Sequence, residues 1–74
     1  MKRVSVESSN LVSIGYDAQA GTLEVEFRHG GLYQYFNVPA GVFDALMATN
    51  ESGKSVGAYF DSHVKKAGYR YNEL

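Results

Sequence analysis

Gly21-Thr22-Leu23-Glu24-Val25-Glu26-Phe27, then His29-Gly30-Gly31, then Tyr33-Gln34-Tyr35-Phe36-Asn37-Val38-Pro39 is the stretch that decides the fold. Its first part alternates apolar and polar residues. In an extended chain this puts Leu23, Val25 and Phe27 on one face and Thr22, Glu24, Glu26 and Arg28 on the other. Such a strand buries one face and wets the other. The glycine pair breaks the alternation and predicts a hairpin. A three-residue loop at His29-Gly30-Gly31 pairs Tyr33 with Phe27 and Tyr35 with Val25, turning both tyrosines to the core. A two-residue loop flips the parity and buries Gln34 without a partner, so the three-residue loop is preferred.

Upstream, Leu11-Val12-Ser13-Ile14-Gly15-Tyr16 predicts a strand, and Asp17-Ala18-Gln19-Ala20-Gly21 a five-residue hairpin loop. Val4-Ser5-Val6 is a candidate short strand. Downstream, Val38-Pro39 starts a helix, since proline's φ is preset and the first turn needs no amide from it. Val42, Phe43, Leu46 and Met47 recur at helical spacing, and residues 50–53 end that helix. A second helix, capped by Ser52 or Ser55, carries Val56, Tyr59, Phe60 and Val64 on one stripe, and Gly68 stops it. Tyr69-Arg70-Tyr71 reads as a short extended tail. Strands followed by helices predict one α+β domain over residues 1–74: a three-stranded antiparallel β-meander, with a candidate short N-terminal strand, packed against two C-terminal helices. Leu23, Val25, Phe27, Phe43, Leu46, Phe60 and Val64 are its expected core.

Seventy-four residues, 45% hydrophobic and 14% aromatic, are enough for one compact core and too rich in apolar groups for a disordered chain. The chain has no Cys, which excludes disulfides and thiolate metal sites and suits a reducing compartment. Met1-Lys2-Arg3 is basic but leads into no signal-peptide apolar region, and no apolar run approaches the roughly 20 residues of a membrane span. A cytoplasmic protein without membrane contact is expected. His29 and His63 have no metal-ligand spacing, no cofactor is expected, and no catalytic constellation can be specified.

Residues 48–55, Ala48-Thr49-Asn50-Glu51-Ser52-Gly53-Lys54-Ser55, match a relaxed phosphate-loop pattern. Such a loop follows a strand inside a parallel sheet, whereas this one follows a helix, so no nucleotide is expected. Net charge is −1, from seven Lys+Arg against eight Asp+Glu, which argues against a strong non-specific nucleic-acid binder. The charge is uneven, however. From Glu7 to Glu26, the acidic residues Glu7, Asp17, Glu24 and Glu26 have no compensating base, while from Lys54 to Arg70, Lys54, Lys65, Lys66 and Arg70 outweigh Asp61. An anionic partner should meet the C-terminal third. There Lys65-Lys66 and Tyr69-Arg70-Tyr71 interleave basic and aromatic residues, the combination that contacts phosphates and stacks on bases.

Taken in order, Ser8-Ser9-Asn10-Leu11, Gly15-Tyr16-Asp17, the Leu23/Val25/Phe27 strand, Tyr33-x-Tyr35, Val38-Pro39 and a late Ser-Gly-Lys followed by Tyr59-Phe60 and Val64 resemble the KTSC domain. This small module occurs at the C-terminal end of some lysyl-tRNA synthetases and as stand-alone bacterial proteins. The late segment Lys54-Ser55-Val56-Gly57-Ala58 is longer than the joint expected in that family. The resemblance implies a non-catalytic binding module with Tyr33 and Tyr35 as its motif, not an enzyme. RNA, as tRNA or a single strand, is the first expected partner, met by Lys54, Lys65, Lys66, Arg70, Tyr69 and Tyr71. A protein partner or a second copy of the chain is the alternative.

Overall fold

The computed structural model describes residues 2–74; Met1, at the head of the basic lead-in, lies outside them. Five strands form one sheet in the order β1-β2-β3-β4-β5, each antiparallel to its neighbour: β1 (Arg3–Ser5), β2 (Leu11–Asp17), β3 (Thr22–Phe27), β4 (Leu32–Tyr35) and β5 (Tyr71–Glu73). Helices α1 (Ala40–Glu51) and α2 (Val56–Phe60) lie between β4 and β5 in the chain, and a π-helical turn (Asp61–Lys65) continues α2. The α+β class agrees with the sequence; the number of strands does not. The N-terminal strand forms against β2 one residue earlier than expected, at Arg3–Ser5, and a fifth strand, Tyr71–Glu73, begins at the last residue of the expected tail Tyr69-Arg70-Tyr71. Its backbone finds partners on the free edge of β4, where Phe36 N–H donates to Arg70 O at 2.8 Å and Leu74 N–H to Leu32 O at 2.7 Å.

The β3–β4 hairpin has a three-residue loop, one residue earlier than the glycine pair suggests. Phe27 N–H donates to Gly31 O at 2.8 Å, leaving Arg28-His29-Gly30 as the loop. Gly30 takes φ +104°, which the last loop residue of such a turn needs. The pairing therefore moves by two residues: Tyr33 lies opposite Val25 and Tyr35 opposite Leu23. A two-residue move keeps the parity, so both tyrosines stay on the core face. Gln34 goes to the other face, where its amide donates to Glu24 Oε1 at 3.0 Å. The β2–β3 loop is also shorter than expected. Asp17 pairs with Thr22, and its carboxylate accepts the amides of Gln19 and Ala20 inside the turn.

The core lies between one sheet face and the helices. Leu11, Ile14, Leu23, Val25 and Tyr35 meet Leu46, Val56, Phe60 and Val64, all buried. Leu11 and Ile14 are three apart, yet both point inward, because a β-bulge between Leu11 and Ser13 adds one residue to β2. Phe27 and Phe43, expected in the core, are half-buried and pack on its rim. Pro39 precedes α1 in extended backbone (ψ 147°) rather than opening its first turn. Ser55, not Ser52, caps α2: its hydroxyl accepts Ala58 N–H at 3.1 Å. α2 is short, and its buried residues Val56, Phe60 and Val64 follow at intervals of four into the π-helical turn.

A candidate nucleic-acid groove beside the tyrosine pair

Burial on the inner sheet face is greatest on the central strands β2 and β3 and falls away through β4 to β5. Tyr35 is 5% exposed, Tyr33 half-buried and Tyr71 59% exposed. The aromatic pair thus belongs to the core at one end and to the surface at the other. Tyr71 lies opposite Tyr35 on β5. Its ring centroid is 5.4 Å from that of Tyr35 and 5.9 Å from that of Tyr33, and Tyr33 and Tyr35 are 6.5 Å apart. Phe27 meets Tyr33 edge-on at 5.3 Å, and His29 stacks on Phe27 at 5.3 Å. These rings line a groove of about 600 Å3 whose rim carries Arg28 and Lys65.

Local sequence shapes this groove. Buried Gly31 leaves room for the rings above it: a Cβ there would stand 2.8 Å from Tyr33 Cε1 and 3.0 Å from His29 Cε1. The loop Arg28-His29-Gly30 carries Arg28 out of the strand's alternation to the groove rim. The π-helical turn brings Lys65 to the same rim.

The residues expected from the sequence are sorted by this geometry. Lys65 and Tyr71 line the groove together with Tyr33 and Tyr35. Lys66 sits next in the chain but pairs with Asp61, Nζ to Oδ2 at 3.2 Å, on an exposed helix surface. Arg70 lies opposite Phe36, so strand alternation puts it on the other sheet face from Tyr71. Tyr69 packs against the core cluster. Lys54 is exposed in the α1–α2 connection and does not line the groove. The phosphate-loop-like residues 48–55 form the last turn of α1 and that connection, preceded by helix rather than strand. Arg28 is placed by sequence alternation on the wet face of β3, away from the tyrosines. Its only sequence signal is its place beside the glycines of the hairpin.

Among the described residues, no group of three or more His, Asp and Glu is placed to hold a metal ion. No helix of the described residues is long and apolar enough to cross a membrane.

The Tyr33 hydroxyl is held above its ordinary value, first by burial and then by the Glu73 carboxylate and Tyr71. Tyr35 is raised in the same way, first by burial and then by Tyr33 and Tyr71. At neutral pH the groove therefore offers neutral phenols. A raised value means that the folded state keeps protons the unfolded chain has already released. The associated stability is complete below the ordinary phenol value of about 10 and is lost as pH rises through the folded values. In a spectrophotometric titration, the Tyr33 and Tyr35 phenols should ionise above the ordinary phenol value, and stability should fall as they do. Ionisation of Tyr33 and Tyr35 at the ordinary phenol value in the folded protein would contradict the burial.

The KTSC domain family model matches residues 7–71. An uncharacterised protein of Stutzerimonas stutzeri is 45% identical over 71 residues, which cover 96% of this chain and 94% of that protein. A lysine–tRNA ligase of Trichormus variabilis is 32% identical over 68 residues, 92% of this chain but 11% of the ligase. In three dimensions, the crystal structure of a KTSC domain protein from Yersinia pestis is similar, with a TM-score of 0.83 at 37% identity. That match covers 99% of this chain and 96% of the other.

Proposed function

The chain belongs to the KTSC domain family, and from that premise we propose that it is a small non-catalytic binding module that takes RNA into the aromatic groove. The observation that carries this reading is the grouping of Tyr33, Tyr35 and Tyr71 with the cations Arg28 and Lys65 around one cleft. Aromatic faces accept bases of any sequence, and cations beside them accept phosphates. A related stretch occupies 11% of a lysine–tRNA ligase, a protein named for its tRNA, which favours RNA as the ligand. Net charge −1 gives little long-range attraction, so affinity rests on contacts inside the groove and is modest.

Titration of isotope-labelled protein with single-stranded RNA and with tRNA tests this. Amide shifts should centre on residues 28–35, Lys65 and Tyr71. Two phosphate contacts to a single strand give a shallow salt dependence, with a slope of about −1.5. Lys65→Glu should weaken binding by about fivefold to tenfold. Lys66→Glu should change it much less, since Lys66 is already engaged with Asp61. Equal losses in the two variants would mean that the groove is not the site.

The second reading is a protein-interaction module, and the edges of the sheet favour it. β1 and β5 are edge strands that carry exposed Val4 and Tyr71, and exposed Leu74 follows β5. Such an edge can pair with a strand from another chain or a second copy. Binding insensitive to salt, with shifts along β5 rather than in the groove, would replace the RNA reading with this one.

A further inference from the structure

We infer that Arg28 is the phosphate-holding residue of the groove and that the unit recognised is one unpaired nucleotide, an inference that rests on the RNA reading above. Arg28 is tethered before any ligand arrives. Its backbone N–H donates to Asn10 O at 2.8 Å, and its side-chain Nε donates to Ser8 O at 2.9 Å. The Ser8 turn is itself held, because Ser8 Oγ accepts the amides of Asn10 and Leu11 at 3.1 and 3.2 Å. One of the five guanidinium N–H donors is thereby used to orient the side chain, and the terminal nitrogens remain. Among the described residues Arg28 makes no ion pair, in contrast to Arg3, which pairs with Glu24, and Lys66, which pairs with Asp61. A guanidinium aimed in this way binds a phosphate through two parallel hydrogen bonds and loses less rotamer freedom on binding than a loose side chain.

Charge around the groove sets the direction of the ligand. Arg28 and Lys65 stand on the rim, Arg28 in the loop just after β3. Glu73 lies two strands away on β5, opposite Tyr33. The phosphate therefore sits toward Arg28 and Lys65, and the base toward the tyrosines. The stacking surface decides between paired and unpaired RNA. In a duplex both faces of a base are covered by its neighbours, so only a base in a single strand, a loop or an end can lie on Tyr33 or Tyr71. The groove volume of about 600 Å3 falls in the range of about 300–1,000 Å3 for sites that enclose a ligand of this size.

The full chain is titrated at low salt with a single-stranded RNA of about six nucleotides and with the same sequence as a duplex. The single strand should bind at least about tenfold more tightly than the duplex. Arg28→Lys keeps the charge but loses the fork and should weaken single-strand binding about fivefold; Arg28→Gln should weaken it more and flatten the salt dependence by nearly one phosphate contact. Arg28 is exposed, so both variants should melt close to the parent. Undiminished binding by Arg28→Gln would overturn the assignment of Arg28 while leaving the RNA reading in place. Equal affinity for single strand and duplex would overturn the unpaired-nucleotide inference. No binding of either RNA by the parent would remove this inference and the RNA reading together.

Discussion

Phe60→Ala is expected to lower the melting temperature by about 15 °C or more, the largest stability loss of any single side chain in this molecule. Phe60 is 2% exposed and sits where α2 meets the sheet. Its ring meets Phe27 edge-on at 5.6 Å and Tyr35 edge-on at 5.6 Å, so one side chain joins the helix layer to two strands. Truncation removes the buried ring, two aromatic contacts and the support under Tyr35, at about 3–5 kcal/mol. A domain of this length holds only about 4–11 kcal/mol in all. Phe27→Ala should cost less, because Phe27 is half-buried and borders the groove. Thermal denaturation followed by circular dichroism ranks the two. A cooperative melt of Phe60→Ala within a few degrees of the parent would mean that this packing does not hold the layers together.

Tyr71→Ala is expected to give the largest loss of RNA affinity and only a small loss of stability. Tyr71 is 59% exposed on an edge strand, so its burial contributes little to folding. Its ring completes the stacking surface with Tyr33 and Tyr35. A lost base–aromatic stack is worth about 1–3 kcal/mol, or about fivefold to a hundredfold in affinity. Tyr71→Phe keeps the ring face and should bind nearly as the parent does. If alanine and phenylalanine weaken binding equally, the hydroxyl is the contact and the stacking argument fails. If neither does, the ligand lies away from β5.

Much of the fold is legible in local pattern. The alternation of residues 22–28 sets which side of β3 is buried, and Leu23 and Val25 are fully buried as it requires. The spacing of Val56, Phe60 and Val64 places one buried stripe on the second helix, and Ser55 caps it as its side chain allows. Even the misplaced hairpin loop leaves Tyr33 and Tyr35 on the correct face, because a shift of two residues preserves strand parity.

The site was less legible, since its parts depend on contacts between distant segments. Residues 71–73 are too short to announce a strand, and they become one only because β4 offers an unpaired edge. That pairing puts Tyr71 beside Tyr35 and turns Arg70 away. Lys65 and Lys66 are alike as sequence neighbours, yet the rotation of about 100° between consecutive helical positions gives Lys65 to the groove and Lys66 to Asp61. Arg28 reaches the rim because the hairpin closes at Phe27 and Gly31, and the Ser8 carbonyl that holds it lies 20 residues away in the chain. The sequence by itself determined the periodicities, and so the layers, the buried faces and the family. Only the tertiary structure decided which strand edges pair, where the helix layer stops covering the sheet, and therefore which aromatic and basic side chains face one another across a groove. Periodicity acts over a few residues of one segment, whereas edge pairing and coverage are set by what the rest of the chain leaves unoccupied.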